Sequence, residues 1–419
     1  MPNPIRAAAS ALSRHRARHT STGFGYAIAD SIDFLDPRSW DDVTREASVF
    51  LSRRYLRVLE DAGPDNISSR YAMIFRDRRP VACIAAQSVL VTGSRIGRTA
   101  ESEQAQANRG ERQRKRDRLK SLAAKPLANV GQRLLVCGNL LSWGCHGVAF
   151  AAGQDRSALW PAVAEALHRI RRSDHLLGET DLLLVKDLAD ADAAGAEALR
   201  PYSFRPLETE PDMMLEIPEG WKSHDDYLAG LTSSYRQSAK KVFKEIEKSG
   251  CRVERLADLA PHAARLHALY LQVHENAAVR PVTLSPDYLP ALSRALDDRF
   301  RCAAIRRGDE ILGFVVTLRD GDTGVGYYLG FDRAAAAELP LYLRLLHAVV
   351  EDAIAMGCRR ISLGRTALDP KARLGARPRP MRVWVRHTHP WLNLIVRGVL
   401  GAIPHEEAPE RNPFKGGPS

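Results

Sequence analysis

The sequence lacks paired cysteines. Its six cysteines are scattered over 419 residues, and no two of them stand in a CxxC spacing. Cys83 and Cys302 each lie inside an apolar stretch of strand length, which is typical of reduced thiols in a protein core. We therefore expect a cytoplasmic protein with neither a disulfide framework nor a structural zinc site.

Two motifs that would indicate particular chemistries are also missing. No group of His, Cys and Asp residues has the spacing of metal ligands, and no G-x-S-x-G nucleophile turn occurs. The sequence therefore predicts a reaction that uses no metal, no tightly bound cofactor and no covalent enzyme intermediate.

Long apolar runs are absent as well. The most apolar stretches, LLVCGNLL and WLNLIVRGVLGAI, are shorter than the roughly 20 residues that a membrane-spanning helix needs. The N-terminus MPNPIRAAASALSRHRARHT has arginines but no apolar segment like that of a secretory signal. We expect no transmembrane segment, a flexible basic leader over residues 1–30 and a flexible tail over residues 401–419.

Basic residues outnumber acidic ones, by 61 − 50 = 11, and the pI is about 9.5. This balance suits an anionic partner such as a nucleotide, tRNA, a nucleotide-linked precursor or a membrane surface, but it indicates association and not reaction. The basic run 109–125 lacks the interleaved aromatics of a nucleic-acid stacking surface, and we expect no DNA partner. Arg236, Lys240, Lys241 and Lys244 share a helix face that could receive a polyanion or simply face solvent.

The order of predicted elements repeats. In the second half, the helices SHDDYLAGL and SSYRQSAKKVFKEIEKSG precede the strands FRCAAIRR, EILGFVVTLRD and TGVGYYLGF, a helix over residues 339–356 and the strand RRISLG. A looser copy of this order runs from residue 39 to residue 187. We predict an α/β protein with two units, over residues 31–205 and 206–400.

One strand-to-helix turn, FDRAAAAELP, could hold a phosphate. A strand that ends at a helix N-terminus commonly binds an anion through free N–H groups. However, no glycine occurs between Phe331 and Leu341, and a phosphate cradle usually needs glycine to let the backbone approach the anion. A plain crossover is therefore favoured.

Four segments of the second half resemble the GNAT acyltransferase superfamily, in its tandem FemAB-like (Fem-type aminoacyltransferase-related) branch. They are SSYRQSAKKVFKEIEKSG, YYLGFD, AMGCRRISLG and, as the most specific, GRTALDPKARLGARP at residues 364–378. The resemblance implies two tandem GNAT-like mixed-sheet units, with the more complete active site in the second. It also implies an N-acyltransferase, acetyltransferase-like or aminoacyltransferase-like, whose donor lies between two diverging strands, here TGVGYYLGF and RRISLG.

The implied reaction is direct transfer of an acyl or aminoacyl group to an amine or hydroxyl of a small-molecule or precursor acceptor. The co-substrate would be acyl-CoA, an acyl-carrier protein or aminoacyl-tRNA. DRAAAAELP departs from the family's Gly-rich Q/R-x-x-G-x-G/A signature, which leaves the donor class open. The alternative is a catalytically silent GNAT-like module that binds an anionic precursor or nucleic acid. Oligomeric state is open.

The GRT motif supplies the first group of candidate site residues. Arg365 could grip a carboxylate or phosphate with two parallel bonds, and Lys371 could place a point charge on an oxyanion. Thr366 and Gly375 would shape the turn. The alternative is a solvated basic turn.

A second group surrounds the strand TGVGYYLGF. Tyr328 could protonate a leaving group and Tyr327 could line the donor site, although core packing also explains either ring. Asp332 could act as a base or cap the turn. His274 and Glu275 end a helix where such folds admit the acceptor, and either could deprotonate an amine or simply finish the helix. Arg236 joins this list as a candidate for binding a polyanionic substrate.

Overall fold

A computed structural model describes residues 20–91, 131–275, 281–393, 409 and 411–415. Its thirteen strands form one sheet with the order β1-β2-β3-β4-β6-β13-β7-β12-β11-β10-β9-β8, and β5 pairs with β3. Most neighbours are antiparallel, whereas β4 with β6 and β11 with β12 are parallel. The α/β class and the two three-stranded meanders, β2-β3-β4 and β9-β10-β11, are confirmed.

Among its described residues, the first half of the chain, up to the end of β7 at Glu216, contributes seven strands and four helices. The strands are β1 (Gly25–Ala29), β2 (Ile67–Arg76), β3 (Arg79–Val91), β4 (Gln132–Cys137), β5 (Val148–Phe150), β6 (Leu182–Ala189) and β7 (Arg205–Glu216). The helices are α1 (Pro37–Thr44), α2 (Arg53–Ala62), α3 (Arg156–Ser173) and α4 (Asp190–Ala196).

The described part of the second half, from residue 217 onward, contributes six strands and seven helices. The strands are β8 (Cys251–Arg255), β9 (Phe300–Arg307), β10 (Glu310–Asp320), β11 (Thr323–Phe331), β12 (Arg360–Ser362) and β13 (Arg377–His387). The helices are α5 (His224–Gly230), α6 (Ser233–Lys248), α7 (Ala263–His274), α8 (Tyr288–Leu296), α9 (Arg333–Glu338), α10 (Leu341–Ala355) and α11 (Leu368–Arg373).

The two halves exchange their last strands. β13, from the end of the second half, pairs with β6 and so completes the sheet of the first half. β7, from the end of the first half, pairs with β12 and so completes the sheet of the second. β7 and β13 also pair with each other from Val385 opposite Arg205 to Arg377 opposite Met214. The predicted division at residue 205 therefore places β7 in the second unit, whose sheet it completes, but separates β13 from the first unit, whose sheet β13 completes.

Three apolar cores hold the helices to the sheet. One face carries a shared core, in which α1 and α2 of the first half meet α7 and α8 of the second. The other face carries two separate cores, one under α3 in the first half and one under α5, α6 and α10 in the second. Because the shared core draws on both halves, burial of apolar surface binds the units together.

Two sequence predictions need correction. Gly25–Ala29 lie within the predicted leader but form β1, because their backbone pairs with Tyr71–Phe75 of β2. Residues 411–415 lie within the predicted tail but dock on the second unit, because the Phe414 ring packs against Trp221 and Tyr227.

Between residues 37 and 62 the chain forms α1, a 3₁₀ turn and α2 instead of one continuous helix, because Ser48 and Ser52 cap new starts. The basic run 109–125 lies outside the described residues. Among the described helices, none is long and apolar enough to cross a bilayer.

Candidate active site

A cleft opens between β11 and β12 in the second unit. The two strands pair only from Thr323 to Val325, opposite Arg360 to Ser362. Beyond this point β11 continues along β10, whereas Leu363 and Gly364 stay bonded to Met213 of β7. Every second backbone group of the remaining β11 residues therefore points towards the gap. TGVGYYLGF and RRISLG, the two strands that were predicted to diverge, therefore separate after three paired residues.

A β-bulge lies at the mouth of this cleft. One residue of β10, Val316, stands opposite two residues of β11, Tyr327 and Tyr328. In a regular strand these two rings would point to opposite faces, but the bulge brings both to the shared-core face, where they meet edge to face with centroids 4.6 Å apart. The bulge therefore turns β11 away from β12 and anchors it to the other unit.

Three tyrosine hydroxyls meet beneath the bulge. The hydroxyl of Tyr327 is 2.7 Å from that of Tyr288 and 3.1 Å from that of Tyr55, and the last two are 3.1 Å apart. Asn139 donates a further hydrogen bond to Tyr55, at 2.7 Å. Burial raises the pKa of all three phenols, so they remain protonated. Tyr327 thus joins the units and does not face the cleft.

We expect Tyr55→Phe and Tyr327→Phe each to lower the free energy of unfolding by about 1–2 kcal/mol, because each leaves buried partners without a hydrogen bond. The double variant should cost less than the sum of the single changes, since both remove bonds of one network. Urea unfolding of the single and double variants measures this coupling. Tyr71→Phe is the matched control, because no hydrogen bond joins the buried Tyr71 hydroxyl to the three tyrosines or to Asn139. Strictly additive losses would contradict a shared network.

A loop of the first unit reaches across to this site. Between β4 and β5 the chain leaves the sheet as a loop over residues 139–146, here named the crossing loop. On β3, the Ala85 N–H donates to the Gly147 carbonyl and the Ala85 carbonyl accepts from the Gly138 amide, so the two ends of the loop are held side by side. The two glycines pass so closely that a Cβ on Gly147 would lie 2.3 Å from the Gly138 nitrogen. Only glycine at position 147 allows the strand to close behind the loop.

The crossing loop ends at the rim of the second unit's cleft. The Trp143 indole donates a hydrogen bond of 2.6 Å to the Ser362 hydroxyl, at the point where β12 leaves β11. Ser362 in turn donates to the Asp212 carboxylate at 2.7 Å, and the Gly364 amide donates to the same carboxylate at 3.1 Å. A line of hydrogen-bonded polar groups thus runs from Trp143 of the crossing loop through Ser362 of β12 to Asp212 of β7.

Lys371 stands beside this line, on α11. It is only 4% exposed, so the alternative of a solvated basic turn is wrong for this residue. Burial lowers the pKa of Lys371 to about 8, and the charges of Asp212 and Glu210 oppose that shift. Burial also raises the pKa of Asp212. Because burial disfavours the charged form of each group, the Lys371 ammonium gives up its proton more readily than an exposed lysine does.

Hydrogen bonds to β6 and β7 fix the Arg365 side chain. Its guanidinium donates to the Asp187 carboxylate at 2.9 Å and to the Glu210 carbonyl at 3.1 Å. The Lys186 ammonium contacts the same carboxylate and donates to the Ser142 carbonyl of the crossing loop at 2.7 Å. These bonds orient the GRT turn and occupy the groups that could otherwise grip a substrate anion. Thr366, next in the turn, is exposed.

Gly375 closes the GRT motif with a φ of +99°. A Cβ there would lie 2.1 Å from the ring of Phe414. The predicted shaping role therefore has a physical basis in the turn and in the docked C-terminal segment.

The remaining predicted residues lie around the cleft at various distances from it. Tyr328 is half-buried, with its ring edge-to-face on Tyr270 at 5.6 Å. Asp332 caps α9 by accepting a bond from the Ala335 amide at 3.0 Å, and this bond holds its pKa below the usual range. A carboxylate with a lowered pKa is a weak base, which favours the capping role.

Three further candidates lie towards the surface. His274, at the end of α7, stacks on Tyr270 at 4.9 Å and lies 3.1 Å from the Thr283 hydroxyl, while Glu275 is exposed at the helix end. Arg236 donates to the Leu231 carbonyl at 3.5 Å at the start of α6. Neither region reaches the Lys371 side of the cleft through a described bond.

The equivalent gap in the first unit is closed. β4 and β6 pair from Leu134 to Cys137, and a Cβ on the next residue, Gly138, would lie 2.7 Å from Cβ of Lys186. The crossing loop and the Asp187 ion pairs fill the space beyond. Only the second unit keeps an open cleft within the described residues.

Sequence reasoning missed the crossing loop, Ser362, Asp212 and Asp187. Glycines at 138, 144 and 147 between two strands marked an interruption, but nothing in the spacing indicated its partner. Asp187 carries a φ of +56°, a strained conformation that the sequence does not reveal.

Comparison with known proteins agrees with this architecture. Residues 233–372 match the family described as "Acetyltransferase (GNAT) domain". The crystal structure of FemX superposes with a TM-score of 0.50 at 10% sequence identity, over 88% of this chain and 98% of FemX. The chain has a tandem GNAT, FemAB-like fold. The superposition extends over both units, as the repeated element order predicts.

Two further matches are more distant or partial. A tandem GNAT protein from the clavulanic acid biosynthesis pathway has a TM-score of 0.47 at 10% identity, over 88% of this chain and 99% of that one. A Mycobacterium tuberculosis protein named "Putative 8-amino-7-oxononanoate synthase 2" is 28% identical over 264 residues. That match covers 61% of this chain and 33% of the relative, so the chain spans about a third of the relative's length.

Proposed function

We propose that the second unit transfers an acyl or aminoacyl group from an activated donor to an amine or hydroxyl acceptor. The observation that carries the proposal is the cleft between β11 and β12, which opens after three paired residues and beside a bulge. Backbone N–H groups of β11 on the open side can hold an extended donor and stabilise the oxyanion of the tetrahedral intermediate. The GNAT family match over residues 233–372 covers both strands.

Partly exposed apolar side chains on and beside β11 would contact an acyl chain bound along that strand. Leu329 and Phe331 of β11 and Tyr342 of α10 are only partly buried against the core of the second unit. Apolar side chains left half-covered at a strand gap provide a surface for an acyl or pantetheine-like segment. The donor would therefore enter along β11, with its reactive carbonyl near the bulge.

The donor's charged part remains the open question. DRAAAAELP forms α9 between β11 and α10, which replaces a glycine cradle, and no side chain caps the first turn of α10. The uncapped amides of the 15-residue helix α10 could meet a phosphate, but they do not distinguish CoA, a carrier-protein arm and tRNA. All three donor classes stay in the proposal.

Lys371 would take the proton from the attacking acceptor. A neutral amine with a pKa of about 8 is close to the best match for a base at neutral pH. Asp212 would stabilise the ammonium once it forms. Arg365 would act as a positioning residue, since Asp187 and Glu210 hold it and it holds the turn that carries Lys371.

We expect the transfer rate to rise about tenfold per pH unit up to an inflection near pH 8 and then to level off, because only the neutral amine accepts a proton. A hydroxyl acceptor should be used, since its own ionisation lies outside this range. Lys371→Arg should lose the inflection, because guanidinium stays protonated. A pH-independent rate in the wild type would contradict the proposed base.

The free energy of unfolding should also depend on the protonation of Lys371. The folded pKa of Lys371 lies below its unfolded value of about 10.4, so the unfolded chain binds more protons between these values. The free energy of unfolding contributed by Lys371 should therefore rise as pH increases from about 8 to about 10, a trend that Lys371→Met removes.

Single-turnover transfer from a donor panel tests the function itself. The panel holds labelled acyl-CoA, acyl-carrier protein and aminoacyl-tRNA, each with an amine and a hydroxyl acceptor, with and without RNase. Transfer of label from one class to an acceptor is expected. Tight binding of a donor with no transfer to any acceptor would instead support the alternative, a silent module for an anionic precursor.

A further inference from the structure

Exposed apolar side chains concentrate at one end of the first unit. Six large apolar residues are exposed among those described, and four of them lie where β3 and β13 end and β4 and β6 begin. These four are Leu90, Leu176, Leu177 and Trp391, here named the end patch. Leu176 is 96% exposed and Trp391 is 63% exposed, although both are side chains that proteins usually cover.

Hydrogen bonds show that these residues share one end. Leu90 stands opposite Arg133 across β3 and β4, and the Arg133 guanidinium donates to the Leu177 carbonyl at 2.8 Å. Asp181 accepts from the Arg133 amide and, through its carbonyl, from the Thr388 amide, each at 2.8 Å. Trp391 follows Thr388 within one turn. The patch therefore runs across β3, β4, β6 and β13.

The end patch also lies on one face. Along β3, Ala82, Ile84 and Ala86 point into the core under α3, and Leu90 continues this alternation beyond the end of that core. Leu176 and Leu177 sit on the 3₁₀ turn that follows α3. Asn393, two residues after Trp391, donates to the Ser203 carbonyl beside the same core.

Positive charge surrounds the end patch. Arg133 lies within it, and Arg171 and Arg172 end the helix α3 that leads to Leu176. Val91 and Gln132 pair at this end of the sheet, and the sequence between them, residues 92–131, holds ten Lys and Arg against four Asp and Glu, a net charge of 10 − 4 = +6. More than half of the chain's excess charge of +11 thus belongs to the sequence between these two positions.

We propose that the end patch docks the protein on an anionic phospholipid surface. Exposed leucines beside a tryptophan match the acyl–headgroup boundary, where aliphatic chains insert and the indole ring lies at headgroup level. Arginines around such a patch meet the negative headgroups. A nucleic acid fits less well, because single strands bind through stacked rings and the patch offers one ring among three leucines.

Flotation of the full chain with lipid vesicles tests the proposal. Phosphatidylcholine vesicles containing a minority of phosphatidylglycerol should carry the protein, whereas pure phosphatidylcholine vesicles should not. Leu176→Ser with Leu177→Ser, and separately Trp391→Ser, should each weaken the partition coefficient by about tenfold, as expected for losing inserted apolar groups. Phe34→Ser is the matched control: Phe34 is 77% exposed but follows Ile32 of the shared core on the opposite face of the sheet, and its loss should change partition by less than about twofold.

Three results would overturn the proposal. The protein could ignore anionic vesicles, or Phe34→Ser could weaken partition as much as the end-patch variants, which would indicate nonspecific adhesion. The patch variants could also keep vesicle binding and lose affinity for a labelled single-stranded RNA, which would assign the surface to nucleic acid. All substituted positions are exposed, and unchanged urea unfolding would confirm that the variants fold.

Discussion

Trp384→Ala is expected to lower the free energy of unfolding of the whole chain by about 3–5 kcal/mol, the usual cost of deleting a fully buried tryptophan. Trp384 belongs to β13, at the end of the second half, yet its ring is fully buried in the core under α3 of the first half. It stands between Val185 of β6 and Pro206 of β7. The cavity would open where the exchanged strand enters the sheet.

Urea unfolding followed by circular dichroism measures this loss. Trp391→Ala is the matched control, because the same residue type four positions after β13 is mostly exposed, and its loss should stay within about 0.5 kcal/mol. We expect one cooperative transition for the wild type and for both variants, since each unit contains a strand of the other. Two separated transitions, with only the later one shifted by Trp384→Ala, would show that the exchanged strands do not couple the units.

Lys371→Met is expected to lower the rate of transfer by roughly ten- to a thousandfold, the range for removing one group that acts on the transition state. Its stability cost should be small or negative, because the change removes a buried cation and Asp212 can take up a proton in response. Single-turnover transfer and urea unfolding, measured on the same preparation, separate the two effects.

Two variants keep this prediction specific. Lys248→Met removes an exposed lysine from the end of α6, which is not among the four residues that could receive a polyanion, and should leave the transfer rate unchanged. Lys371→Arg keeps the charge but cannot give up a proton near neutral pH, so it should be almost as slow as Lys371→Met. Full activity in Lys371→Met, or a rescue by arginine, would assign Lys371 a structural or purely electrostatic role. Arg365→Met should lose stability as well as rate, because it leaves Asp187 with one cation instead of two.

Local patterns in the sequence predicted the elements well. Alternation in EILGFVVTLRD and TGVGYYLGF gave β10 and β11, and the threefold and fourfold spacing after Leu339 gave α10, because these signals depend only on neighbouring residues. The gap between β11 and β12 followed from the resemblance of the motifs around it. Gly375 was assigned to the turn for a reason that the structure supports, its positive φ.

Contacts between distant segments could not be predicted in the same way. β13 pairs with β6 across almost two hundred residues, and an apolar strand pattern does not specify which edge it joins. The Trp143–Ser362 and Arg365–Asp187 contacts depend on that pairing. The polar groups that line up beside Lys371 could therefore not be predicted from the sequence. The burial of Lys371 could not be predicted for the same reason, since a lysine in a Gly-flanked turn is ordinarily exposed.

The exchanged strands also set the order in which the chain can finish folding as it is made. A ribosome completes β6 at Ala189 but begins β13 only at Arg377, which is 377 − 189 = 188 residues later. At ordinary translation speeds this interval lasts on the order of ten to forty seconds. Throughout it, the edge of β6 is an unpaired strand that can join another chain, since its own partner does not yet exist. The first half of the protein therefore emerges first but is completed last.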